Sequence, residues 1–246
     1  MHWDWSTLFH VEWSITFLLA MLNIVFINII LSGDNAVLIA MAVRGLDKEQ
    51  RKKGILFGTG AAVVLRVILT FFVALLLDIP LLKLIGGLLI LWIALQLFVV
   101  GDERDETKAQ SVSMAQAIKI IILADLTMSL DNVLAVAGAA GGNLFLLIFG
   151  LALSIPIVIF TSNLISALMD KYPVIVVIGA AILGRVGGGM IITDSVVEKW
   201  LHPGKFMEYG FEIFCIIAIV VAGKLIQQRK LRKLQQQPSE TETADS

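Results

Sequence analysis

Seven stretches of this chain stay apolar over the roughly 20 residues that a helix needs to cross the hydrocarbon core of a bilayer. They run over 14–43, 54–77, 81–100, 114–140, 143–168, 173–193 and 207–226. In lipid, backbone N–H and C=O groups must be satisfied within their own segment, so such spans fold as helices. The expected fold class is therefore all-α, a polytopic membrane protein with seven transmembrane helices. Composition agrees, with 58% of the 246 residues hydrophobic and 16% charged, against about 45–50% and about 25% in soluble domains. Mean hydropathy is +0.89. A soluble core of this size cannot bury such an excess. The formal net charge of −1 excludes binding driven by bulk positive charge, so no nucleic-acid partner is expected. The single cysteine, Cys215, excludes a disulfide framework and a thiolate metal cluster.

Residues 1–13 carry Trp3, Trp5 and Trp13, the composition of an interfacial anchor. They hold no Lys or Arg ahead of the first apolar run, so the basic start of a cleavable signal is missing and the spans are expected in the mature chain. The stretch 101–113 is a charged loop, and the polar tail 227–246 is expected to be disordered. Orientation follows from Lys and Arg. In a seven-span arrangement one side collects Arg44, Lys48, Arg51, Lys52 and Lys53 after span one, and Arg104, Lys108 and Lys119 around the central loop. Lys171, Lys224, Arg229, Lys230, Arg232 and Lys233 lie on that side too, and only Lys83, Lys199 and Lys205 lie opposite. The bias puts the N-terminus outside and the C-terminus in the cytoplasm.

The chain also repeats itself. Asn28-Ile-Ile-Leu-Ser32-Gly-Asp34-Asn35 in span one matches Asp125-Leu-Thr-Met-Ser129-Leu-Asp131-Asn132 in span four. Downstream, Phe57-Gly58 matches Phe149-Gly150, Asp78 and Pro80 match Asp170 and Pro173, and Ile85-Gly86 matches Ile178-Gly179. Residues 14–100 and 114–193 thus read as two three-helix copies, with 207–226 an extra C-terminal helix. An odd number of spans per copy makes the copies enter from opposite faces. That is the inverted 3+3 repeat of secondary transporters, whose substrate site lies near the midplane. Apolar segments match one another cheaply; a shared Ser-x-Asp-Asn in mid-span does not.

Five charges stand deep inside spans, away from their ends: Asp34, Arg66, Asp125, Asp131 and Arg185. Each costs about 2.5–3.5 kcal/mol at mid-bilayer if left unpaired. One arrangement is purely structural, with two arginines neutralising two aspartates. It leaves one acid over, and it gives no role to Asn28, Asn35 and Asn132 at matched positions. A spacing of seven is nearly two helical turns, so Asn28 and Asn35 share a face, as do Asp125 and Asn132. If spans one and four meet, six oxygen-bearing side chains converge: Asp34, Asp125, Asp131, Asn28, Asn35 and Asn132. Hard oxygens suit Mg²⁺, Ca²⁺ or Mn²⁺, whereas copper and zinc prefer imidazole or sulfur. The histidines, His2, His10 and His202, all lie at the ends of the fold, and Met128 reads as packing. Arg66 and Arg185 are candidate counter-ions for the empty site. Span one is long, and Ser32-Gly33 permits either a local break or a tilted continuous helix. Gly58, Gly60, Gly86, Gly87, Gly184, Gly187, Gly188 and Gly189 read as close helix approaches, and Pro156 as a kink in span five.

Through Ser32-Gly-Asp34-Asn35-Ala-Val and Asp125-Leu-Thr-Met-Ser129-Leu-Asp131-Asn132 the chain resembles the TerC family of integral membrane proteins, named for tellurium resistance and related to LysE-type transporters. The resemblance covers roughly residues 14–226. It implies divalent-metal efflux, manganese in particular, with the intramembrane acids as the site and no resident cofactor.

On that resemblance the expected protein is a Mn²⁺ exporter of a bacterial plasma membrane rather than an enzyme. Its partners are the divalent cation, the lipid bilayer and, as counter-ion, protons, which compete with metal for the same carboxylate oxygens. Three rivals remain open. A small-solute exporter would hold a zwitterion between an arginine and an aspartate. An intramembrane aspartyl protease would need two close acids and a water, but its Gly-x-Gly-Asp signature is missing. The last is an assembly factor without transport.

Overall fold

The computed structural model describes residues 14–76, 79–100, 113–140 and 143–235. The segment 1–13, Asp78, most of the loop 101–113 and the end of the tail lie outside them. Every regular element among the described residues is helical: α1 (Ile15–Leu31), α2 (Gly33–Val43), α3 (Lys48–Leu76), α4 (Leu82–Val100), α5 (Met114–Ala140), α6 (Leu144–Lys171), α7 (Val174–Ile192), α8 (Ser195–Leu201) and α9 (Lys205–Gln235). Five of them, α3, α4, α6, α7 and α9, are long and apolar enough to cross a membrane. The expected first span is divided between the shorter α1 and α2, and the expected fourth coincides with α5.

Helix ends depart from the apolar runs where polar chemistry sets them. α3 begins at Lys48 rather than 54, because Asp47 Oδ1 accepts the N–H groups of Glu49 and Gln50 at 3.0 and 2.8 Å. The tail expected from Gln227 onward instead continues α9 to Gln235. Its Gln, Arg, Lys and Leu residues are good helix formers, and no Gly or Pro intervenes before Pro238. The link between the last two spans holds α8, which no apolar run announces. Asp194, buried at its start, accepts from Val196 N–H at 2.9 Å and from Leu84 N–H of α4 at 3.2 Å. One carboxylate thus serves two helix beginnings.

The helices pair in a definite pattern. α1 and α2 lie against α6, α3 against α5, α4 against α7, and α9 against α7. Phe17 of α1 stacks on Phe145 of α6, which stacks in turn on Phe149. Helices in lipid gain little from hydrophobicity, so small residues that admit close backbones matter most. A Cβ on Gly87 would stand 2.6 Å from the Gly187 carbonyl oxygen, so α4 and α7 touch backbone to backbone. Gly184 and Gly188, one turn apart on α7, meet the α9 backbone at Cys215 to Ile216 and at Glu212. Gly58 faces Ile121 of α5, whereas Gly60 faces open space, so that glycine is not a packing position. α6 runs through Pro156 without interruption.

Candidate functional site

The site grows from the interruption in span one. Ser32 (φ −99°, ψ 0°) separates α1 from α2, yet Ala36 N–H still bonds the Ser32 carbonyl at 2.9 Å. The break is therefore a joint of one residue rather than an unwound stretch. Gly33 has nothing within 4 Å of where a Cβ would stand. The Ser32 hydroxyl is buried and has no hydrogen-bond partner among the described residues. Asp34 sits in the first turn of α2, where the helix dipole is positive, and its Oδ1 accepts the Asn35 N–H at 2.8 Å.

Facing it, α3 and α5 supply a buried ion pair. Arg66 Nη2 donates to Asp125 Oδ1 at 2.6 Å and Arg66 Nε to Ser129 Oγ at 3.3 Å, while Ser129 Oγ donates to Asp125 Oδ2 at 2.8 Å. Asp125 and Ser129 are one turn apart on α5, which lets both oxygens of one carboxylate be engaged. The arginine and aspartate side chains are only 5% and 7% exposed. Charges so deep are tolerated only with close pairing and extra hydrogen bonds, and both are present. The Asp34 carboxylate lies within Coulombic reach of Arg66 and of Asp125.

Of the residues expected at the site, Asp34, Arg66 and Asp125 thus come together, and Asn35 and Asn132 are buried on their helices. The side chains of Asn28 and Asp131 lie outside the described ones. Arg185 stands elsewhere. Its Nε bonds Glu212 Oε2 of α9 at 3.1 Å, and its side chain is 66% exposed. Among the described residues no three His, Cys, Asp or Glu gather into a metal-holding cluster. Three participants escaped the sequence reading. Ser32 and Ser129 were in view as parts of the repeated motif, and their hydroxyl chemistry was the unused signal. Glu212 lies inside the seventh apolar run, and it is the acid that occupies Arg185.

These features define a polytopic helical membrane protein with charge buried among its helices, the class to which membrane transporters belong. The chain belongs to the TerC family: the profile described as integral membrane protein TerC family matches residues 13–231. It is 40% identical over 212 residues to the uncharacterized membrane protein YjbE of Bacillus subtilis (strain 168), covering 86% of this chain and 97% of that one. It is 25% identical over 218 residues to the uncharacterized membrane protein YkoY of the same organism, covering 77% and 67%. No solved structure matches the chain.

Proposed function

We propose that the chain exports divalent metal ions, Mn²⁺ in particular, across a bacterial plasma membrane, through seven spans built as an inverted 3+3 repeat plus a last helix. The observation that carries this reading is the duplicated Ser-x-Asp-Asn frame, with burial that repeats as well. Ile24, Ser32 and Asn35 in the first half are buried, and so are Ile121, Ser129 and Asn132 at the matching positions of the second. Thr59, Ala62 and Arg66 are buried, and so are Leu151, Ser154 and Val158. The helix pairing has the same symmetry. Exchanging the halves turns the contact of α1 and α2 with α6 into that of α5 with α3, and returns the contact of α4 with α7 to itself. Such a pseudo-twofold supports a site between the repeats.

At that site Asp34, Asp131, Asn28, Asn35 and Asn132 offer hard oxygen, which favours a divalent metal over a soft one. Asp125 belongs to the same group of acids, and Arg66 is its counter-ion. Manganese, rather than magnesium or calcium, rests on the likeness to the TerC family. Protons that compete for the carboxylates would drive export, with the N-terminus outside and the C-terminus in the cytoplasm. The test is the manganese content of cells that express the chain, Asp34→Asn or Asp131→Asn. The chain should lower it and both variants should not. Manganese unchanged by the parent chain would sink the reading. Export from proteoliposomes that ignores a pH gradient would remove the proton.

A further inference from the structure

Arg66 of the first copy and Asp125 of the second form a pair that has no counterpart at the positions related by exchanging the halves. The register that joins Phe57-Gly58 to Phe149-Gly150 and Asp78 to Asp170 runs without a gap, and it sets Val158 opposite Arg66. The register of the Ser-x-Asp-Asn frames sets Asn28 opposite Asp125. Arg66 and Val158 are both buried, at 4% and 7%, and α3 meets α5 as α6 meets α1 and α2. The contact of α3 with α5 sets a cation against an anion, whereas the sequence puts a valine and an amide at the matching positions of α6 and α1. Each combination sums to zero. A single exchange at either position would leave an uncompensated charge at mid-bilayer, which is why the two differences occur together.

We infer that Asp125 is a positioning residue and not a ligand of the transported ion. With Ser129 it holds the Arg66 guanidinium and cancels its charge, which leaves Asp34 and Asp131, the acids that the sequence repeat matches, as the acidic ligands of the reading above. The inference rests on the transport reading above and narrows its ligand set. Both Asp125 oxygens are already committed, Oδ1 to Arg66 Nη2 at 2.6 Å and Oδ2 to Ser129 Oγ at 2.8 Å. A metal ion bound at this carboxylate would also sit beside a guanidinium, where like charges repel strongly in a low dielectric. Among the described residues Asp34 pairs with no arginine at bonding distance, and its Oδ1 accepts the Asn35 backbone N–H. The remaining intramembrane charges cancel in the same way, Arg185 against Glu212. The acids kept in the ligand set, Asp34 and Asp131, carry together a charge equal to that of a divalent ion with the sign reversed.

The experiment compares Mn²⁺ export and Mn²⁺ binding of the purified full chain, the latter by electron paramagnetic resonance, with thermal melting of each variant as the check on folding. Asp125→Asn strands the Arg66 charge beside the site and is expected to reduce export and affinity by about tenfold or more. Asp125→Asn combined with Arg66→Val gives each position the residue found at its match in the other half. It removes both buried charges, so it should fold, and it should recover export and affinity to within about threefold of the parent, since pairs replaced together are often energetically neutral. If Asp125 were itself a ligand, removing Arg66 as well would not restore the affinity lost with the carboxylate. The inference is overturned if the double variant melts like the parent yet binds Mn²⁺ no better than Asp125→Asn, or if Asp125→Asn alone binds and exports as the parent does. Should the single variant fail to fold, affinity of the double variant decides alone. Failure of the transport reading looks different: the parent exports no manganese, or Asp34→Asn exports as well as the parent.

Discussion

Arg51 Nη1 lies 2.5 Å from Asp170 Oδ2, while Nη2 of the same guanidinium donates to the Arg44 carbonyl at 2.9 Å. One side chain near the start of α3 thereby fastens the exit of α2 to the end of α6. The Asp170 side chain is about half exposed, at 46%, so the pair itself is worth at most about 1 kcal/mol. The bond to the Arg44 carbonyl adds about 0.5–1.5 kcal/mol. Arg51→Ala should therefore destabilise the detergent-solubilised protein by about 1–2 kcal/mol. Asp170→Ala should cost less, because the carbonyl bond survives. Melting curves of the two variants check the order.

Asp194 offers a sharper case, since one buried carboxylate ends two helices. Asp194→Ala loses a cap on α8 and an acceptor for Leu84 N–H together, and a cost of about 2 kcal/mol is expected. Asp194→Asn keeps one amide oxygen and should lie between that variant and the parent. Equal melting temperatures for all three would show that the capping contributes nothing.

Glycines that look alike in the sequence should answer differently to alanine. At Gly87 a Cβ meets the Gly187 carbonyl and the Ile191 backbone nitrogen at 2.6 and 3.1 Å, and backbone cannot yield as a flexible side chain would. Gly87→Ala is expected to destabilise by about 1–3 kcal/mol. Gly60 faces open space within α3, so Gly60→Ala should be neutral or raise stability by about 0.5–1 kcal/mol. Thermal melting of the two variants side by side reads the contrast.

Gly33 tests the joint in span one. With nothing near its missing Cβ, Gly33→Ala should fold and gain up to about 1 kcal/mol. If the joint serves transport, the same variant should export manganese more slowly. Higher stability with undiminished export would disconnect the joint from function.

Run length made the helices legible in the sequence, because lipid demands it and little else does. Caps did not follow from the same signal: Asp47 and Asp194 stand just outside the apolar runs, so α3 began early and α8 went unseen. At the site, Arg66 and Asp125 were both conspicuous as charges in lipid. Their pairing was not, since they are far apart in sequence and two arginines stood ready for the aspartates. Glu212 resolved that choice, and it was overlooked because it sits near the start of the last span among other polar residues. The Ser32 joint left no mark on hydropathy, as one interrupted residue with a bridging hydrogen bond keeps the segment apolar throughout.

The two matched Ser-x-Asp-Asn frames are built differently in the folded chain. In the first, Gly33 follows a serine whose hydroxyl has no hydrogen-bond partner among the described residues. In the second, Leu130 takes the place of that glycine, and Ser129 is cross-braced to both Asp125 and Arg66 within an unbroken α5. One half therefore carries an elbow where the other carries a strut. Bending is therefore cheapest at the Ser32–Gly33 joint beside Asp34, and costliest where Arg66 braces α5.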